Sequence, residues 1–286
     1  MQLCKARLKN GSIAVGVIVN GQVQFLKLNH DAGFETLADV LHSHNPAMLA
    51  HDLADTTTAI PLEQLTLLAP VDEQEIWGAG VTYKRSREAR ERESAGARFY
   101  ELVYTASRPE LFFKATANRV AGPGTHVRIR RDSRWSVPEP ELALVISPAM
   151  KIVGYTIGND MSARDIEGEN PLYLPQAKVY DRSCALGPVI TLVDAMPALD
   201  QVAINLVIER RGAQVFEGTT RLTQMARSFT ELVEWLGKDN NFPHGVILLT
   251  GTGIVPPDHF SLAAGDVITM EITGIGQLTN VVEQNN

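Results

Sequence analysis

Cysteine, long apolar runs and surplus positive charge are all scarce in this sequence, and each shortage excludes something. The only two cysteines, Cys4 and Cys184, are too few and too isolated for a disulfide framework or a thiolate metal site. A reducing cytoplasm is therefore the expected setting, and Cys184, in an apolar stretch before Gly187-Pro188, reads as a small buried residue. No window approaches the about 20 consecutive apolar residues that cross a bilayer as a helix, so no membrane span is expected. Lysine and arginine number 26 against 33 acidic residues, a formal charge of -7 that argues against nonspecific nucleic-acid binding. The local cluster Arg128, Arg130, Arg131 and Arg134 reads as a solvated face or as partners for acidic neighbours. No internal repeat or low-complexity tract is present.

What remains is the composition of an ordinary globular protein, 44% hydrophobic and 21% charged, with 286 residues for one large or two modest domains. Lys5, Arg7 and Lys9 ahead of the apolar run Ile13 to Val19 superficially resemble a signal peptide. Asn20-Gly21 and a second β-rich run, Val23 to Leu28, make a hairpin the better reading. A helix-like segment surrounds Leu37 to Leu41, and the proline-bounded stretch Pro61 to Pro70 suggests a boundary near residue 70. The expected division is a small N-terminal α/β domain over 1–70 and a larger domain over 71–286. Tyr83 to Ala106 is the most helical segment, with Arg87/Glu91 and Glu88/Arg92 at i,i+4. Its charged part, Lys84 to Arg98, is either a solvated helix or a lid that brings Arg85, Arg87 or Glu88 inward. Beyond it, short β-rich runs dominate: Val189 to Leu192, Val202 to Glu209, Val246 to Thr250 and Val267 to Ile272. One amphipathic helix carries Met225, Phe229, Leu232, Val233 and Leu236 on a stripe, with Gly237 as its stop. The expected class is α+β, rich in mixed β-sheet.

The chemistry concentrates at Val137-Pro138-Glu139-Pro140-Glu141-Leu142. The apolar run Leu142 to Ile146 reads as a buried strand, so Glu139 and Glu141 share one face of its start while Pro140 points away. Pro148-Ala149-Met150-Lys151 then connects to a second strand, Ile152 to Ile157, and an antiparallel return sets Asp160 opposite the two glutamates. Three converging carboxylates repel one another unless a cation or shared protons neutralise them. All-oxygen ligation favours Mg²⁺, Mn²⁺ or Ca²⁺ over zinc and leaves positions open for substrate and water.

The stretch from Gly154 to Pro188, with Asn159-Asp160-Met161-Ser162-Ala163-Arg164-Asp165 at its centre, resembles the signature of the fumarylacetoacetate hydrolase family. The resemblance extends over Gly78-Ala79-Gly80-Val81-Thr82-Tyr83, Phe112-Phe113-Lys114 and Thr250-Gly251-Thr252-Gly253, covering about residues 75 to 280. It implies that Glu139, Glu141 and Asp160 are the metal ligands and that the larger domain is a mixed β-sheet roll or barrel. It places Lys178 beside the metal, as acid/base or as a clamp on a substrate carboxylate, and sets Thr252, Tyr83 and Lys114 at the substrate. Glu169 is the carboxylate expected to be catalytic, with Glu167 and Asp165 as alternatives that could equally brace the loop.

Within the family, Arg108 to Thr116, Pro138 to Glu141 and Glu169 to Gln176 are similar to the sugar-acid dehydratases that act on 2-keto-3-deoxy-pentonates. Hydrolytic members carry a histidine three residues after the tyrosine; Ser86 stands there here, and serine is no ready general base for activating water. The implied reaction is loss of water from a small 2-keto acid through a metal-stabilised enolate, giving 2,5-dioxopentanoate. The alternative is C–C cleavage of an acylpyruvate-type 2-keto acid by a hydrolase or decarboxylase with the same metal. A homo-oligomer, dimer or tetramer, is the implied assembly. His42 and His44 form a His-x-His pair with no third ligand in view, and with His51 and His244 they read as structural or exposed.

Overall fold

The computed structural model describes residues 1–83, 104 and 106–284. Ser86 and the Lys84 to Arg98 segment lie outside these residues. Among the described residues a 12-stranded sheet forms the spine, and a five-stranded sheet packs against it. The centre of the spine is the hairpin foreseen in the sequence. Pro140–Ile146, every residue of which is buried, pairs antiparallel with Ile152–Asp160, with Glu141 opposite Gly158 and Pro140 opposite Asn159. Continuous apolar character suits a strand covered on both faces, and Pro140–Ile146 is covered by two apolar clusters. Leu142, Leu144 and Ile146 face one cluster, while Ala143 and Val145 face the other.

Outward from this hairpin, Val246–Leu249, Glu75–Gly80 and Glu110–Ala115 extend the sheet on one side. On the other side stand Cys184–Leu192 and then Gln2–Arg7, Ile13–Val19 and Gln22–Phe25. The N-terminal hairpin is therefore present, although its second strand ends at Phe25 rather than Leu28. Leu37–His42 is helical, opened by a reciprocal cap between Thr36 and Asp39. We propose a domain division near residue 70, with the sheet crossing it where Gln2–Arg7 pairs with Cys184–Leu192.

Two readings change. Met225 lies outside the amphipathic helix, which runs Phe229–Leu236 because the Ser228 hydroxyl accepts the Glu231 N–H at 3.1 Å and starts it there. Strands Ala213–Arg221 and Gly276–Gln284 were not foreseen. The first is largely exposed and polar, so its sequence carries no apolar run. The arginine cluster is paired as expected: Arg128 with Asp181 and Glu283, Arg130 with Asp132. Both cysteines are unpaired and buried, and burial pushes each thiol up to about 12. None of the described helices is long and apolar enough to cross a membrane.

Candidate active site

The hairpin register brings Glu139 and Asp160 together, since the Asp160 N–H donates to the Glu139 carbonyl at 3.0 Å. Glu141 sits two residues along on the same face. One ligand oxygen from each of the three carboxylates lies within 4.8 Å of the others, and all three side chains are buried. They form part of the wall of a cavity that Gly80, Glu110, Phe112, Glu167, Lys178 and Thr252 also line.

Two glycine-rich turns build the rest of the wall. The Gly251 N–H donates to Glu141 Oε2 at 2.6 Å, and Gly251 holds φ +89°. A Cβ there would stand 2.0 Å from Thr82 Oγ1, so only glycine lets the backbone approach the carboxylate. Thr82 Oγ1 in turn donates to the Thr250 carbonyl at 2.6 Å and ties the two turns together. Val81, in the cavity wall, holds φ 53°, a genuine outlier for a β-branched residue and a kind of strain that clusters at functional sites. Thr252 is buried at the wall as expected, its Oγ1 accepting the Ile254 N–H at 3.1 Å. Tyr83 is buried, its hydroxyl without a hydrogen-bond partner among the described residues, and burial followed by the Glu141 charge pushes that hydroxyl up.

Charge is what the site must manage. Among the described residues, four buried carboxylates, Glu139, Glu141, Asp160 and Glu167, face three buried cations, Lys114, Arg164 and Lys178. Lys178 Nζ donates to Glu139 Oε2 at 2.7 Å, Asp160 Oδ2 at 2.9 Å and Ser162 Oγ at 2.5 Å. Arg164 Nη2 donates to Glu139 Oε1 at 2.7 Å. Burial pushes the Asp160 carboxyl up, but the Lys114 and Lys178 ammonium groups outweigh it and the net shift is down. Glu141 differs. Burial, then the Asp160 and Glu139 charges, hold its carboxyl well above the ordinary value, and Lys178 and the Gly251 N–H only partly oppose them. A divalent cation would relieve this repulsion, and three carboxylate oxygen donors suit a hard ion such as Mg²⁺.

Several expected positions change. Glu169 is exposed at the end of the helix Arg164–Glu169 and does not line the cavity; Glu167, on the side of that helix shared with Arg164, does. Asp165 braces a loop by accepting from Ser133 Oγ at 2.6 Å and the Arg134 N–H at 2.7 Å. Lys114 is fully buried and bonded to the Met161 and Lys178 carbonyls, so the structure gives it no face on the cavity. Lys178 spends three N–H donors on three acceptors, whereas a neutral amine has two, so the geometry suits an ammonium rather than a base. Arg164 and Glu110 were missed. Arg164 stood inside the quoted motif with no role assigned, and its three-residue spacing from Glu167 was the available signal. Nothing in the local sequence marks Glu110.

The match to the Fumarylacetoacetate (FAA) hydrolase C-terminal family spans residues 75–283, and the chain belongs to that family. Among relatives, a protein of Haloferax volcanii described as a probable 2-keto-3-deoxyxylonate dehydratase is 48% identical over 213 residues, 74% of this chain and 73% of that one. A 2-dehydro-3-deoxy-D-arabinonate dehydratase of Saccharolobus solfataricus is 42% identical over 237 residues, 82% of this chain and 80% of its own. The solved structure of a 2-keto-3-deoxy-D-arabinonate dehydratase complexed with magnesium and 2,5-dioxopentanoate superposes with a TM-score of 0.87 at 36% identity, covering 100% of both chains.

Proposed function

We propose that this chain is a Mg²⁺-dependent hydro-lyase that converts a 2-keto-3-deoxy-pentonate to 2,5-dioxopentanoate. The observation that carries the reading is the buried triad Glu139, Glu141 and Asp160 opening on one cavity. The similarity to dehydratases, one of them complexed with magnesium and 2,5-dioxopentanoate, supports it. When bound by these three carboxylates, Mg²⁺ supplies Lewis acidity to the keto and carboxylate oxygens of a 2-keto acid and makes the C3 protons easier to remove.

The chain's own groups do the rest. Glu110 and Glu167 are the cavity-lining carboxylates outside the triad. Glu167 Oε2 lies 3.5 Å from Arg164, the residue that holds Glu139, so Glu167 belongs to the supporting network. Glu110, which lines the cavity among the described residues, is assigned as the base: its carboxylate packs against Gly80, where a Cβ would stand 2.2 Å from Oε2, so glycine leaves it this place in the wall. The C4 hydroxyl then leaves as water, taking up the proton removed from C3, and tautomerisation through the C5 hydroxyl turns the eliminated product into 2,5-dioxopentanoate. Lys178 keeps Glu139 and Asp160 in place, and Thr252 and Tyr83 are assigned to substrate positioning.

The enzyme is further read as a cytoplasmic homo-oligomer, dimer or tetramer; the two unpaired cysteines support the compartment, and light scattering checks the assembly. The function is tested by a panel of 2-keto-3-deoxy acids with Mg²⁺, read by product identity. Elimination yields 2,5-dioxopentanoate, whereas pyruvate or carbon dioxide would signal C–C cleavage.

A further inference from the structure

Lys114 lies in Glu110–Ala115, an edge strand of the sheet among the described residues, and its side chain is 0% exposed. Two backbone carbonyls accept from this ammonium, Met161 at 2.9 Å and Lys178 at 2.7 Å, and the Asp160 carboxylate forms an ion pair with it. The Lys178 carbonyl ends the short helix Leu174–Lys178, where carbonyls lack intrahelical partners and a cation is favourable. Ser183 Oγ donates to the same carbonyl at 2.8 Å. The side chain of Lys178 then turns back to Asp160 Oδ2 at 2.9 Å. A closed ring results, in which Lys114 holds one oxygen of Asp160 and the backbone of Lys178, while Lys178 holds the other oxygen.

We propose that Lys114 is a positioning residue that sets the Asp160 carboxylate and the Lys178 ammonium as one unit. It acts on the reaction through those two residues and does not touch the substrate. The ring explains how a helix of five residues holds a lysine in place: its last carbonyl is fixed from the neighbouring strand. It also gives the sequence pattern Phe112-Phe113-Lys114 two jobs. Phe112 lines the cavity, and Lys114, two residues on, reaches behind the cavity wall to Asp160 and the Lys178 carbonyl.

The test uses Lys114→Gln, with Lys114→Met as a second variant of similar volume that has no side-chain N–H. It rests on the proposed function only in its turnover arm. Calorimetric titration with Mg²⁺ alone is expected to show at least tenfold weaker binding in either folded variant. Turnover is expected to lose thirtyfold or more in kcat with KM within threefold of the parent. In a Lys178→Gln background, the added Lys114→Gln change is expected to cost less than threefold in kcat, because both residues act in one unit. Unchanged Mg²⁺ affinity with a raised KM and retained kcat would overturn the proposal in favour of substrate contact. Losses that multiply independently of Lys178, or recovery of both variants only as unfolded protein, would overturn it as well. Absence of dehydration by the parent protein would sink the proposed function, while the Mg²⁺ comparison would still decide the role of Lys114.

Discussion

Arg164 Nη2 donates to Glu139 Oε1 at 2.7 Å, with both side chains buried beneath the cavity. The same guanidinium meets Glu167 Oε2 at 3.5 Å through Nη1. One arginine therefore links the helix Arg164–Glu169 to the first carboxylate of the triad, and Lys178 takes the second oxygen of that carboxylate. Glu139 is held from both sides before any ligand arrives.

Removing the guanidinium leaves Glu139, among the described residues, with Lys178 alone and takes one ion-pair partner from Glu167. Arg164→Met is expected to destabilise the protein by about 3–5 kcal/mol, the usual cost of breaking a buried ion pair from one side. Urea unfolding of the metal-free protein measures this. A loss below about 1 kcal/mol, the scale of an exposed pair, would show that the pair is not buried in solution.

Gly251 is the narrowest point of the wall, since a Cβ would collide with Thr82 Oγ1 and strain the backbone at φ +89°. Gly251→Ala is expected to cost about 1–3 kcal/mol of stability, the range for a residue held in a sparsely populated backbone region. It should also weaken Mg²⁺ binding, because its N–H no longer orients Glu141. Thermal unfolding with and without Mg²⁺ checks both; normal stability together with normal affinity would contradict the role given to this turn.

The pH dependence follows from Glu141, whose carboxyl is held well above its ordinary value near 4.5 by burial and by its carboxylate neighbours. In the metal-free protein the folded state binds this proton more tightly than the unfolded chain does. The stabilisation is complete below the unfolded value and fades as pH rises through the raised folded value. Asp160, shifted the other way, adds stability above its ordinary 3.8 that is lost only as the solution is acidified. Mg²⁺ competes with the Glu141 proton, so its affinity should climb with pH above about 4.5 and binding should release protons. Titrations in two buffers of different ionisation enthalpy give the number released; no release at any pH above 4.5 would contradict a raised Glu141.

Glu169 and Glu110 separate the sequence reading from the structural one. Glu169→Gln is expected to leave kcat within about threefold, while Glu110→Gln should lower it by roughly two to four orders of magnitude, the usual worth of a positioned acid or base. Steady-state kinetics of the two purified variants decides, and the reverse ranking would restore Glu169 as the base.

The triad was legible because it rests on two short-range rules, the alternation of a strand and the register of a tight antiparallel pair. Those rules needed only Glu139, Glu141, Asp160 and the apolar runs between them. The choice between Glu167 and Glu169 was not legible while the segment was read as a loop. Once it is helical, three-residue spacing puts Glu167 beside Arg164 and turns Glu169 outward to solvent. Glu110 and Lys114 enter through pairing of Glu110–Ala115 with Glu75–Gly80, a contact across a segment whose length the local pattern does not encode. A buried cation such as Arg164 reads as surface charge from local pattern alone, because only tertiary structure shows which carboxylates enclose it, whereas Lys114 was flagged through the resemblance.

The most direct measurement follows a 2-keto-3-deoxy-pentonate by proton NMR in deuterium oxide, with Mg²⁺ and then with chelator. Solvent label at C3 reports deprotonation, and the aldehyde signal reports completed elimination. With Mg²⁺, the protein is predicted to exchange C3 and form 2,5-dioxopentanoate, and to do neither when chelated or when Glu139→Gln is introduced. Aldehyde formed at the full rate in chelator, or pyruvate in place of the aldehyde, would contradict metal-dependent dehydration at this triad.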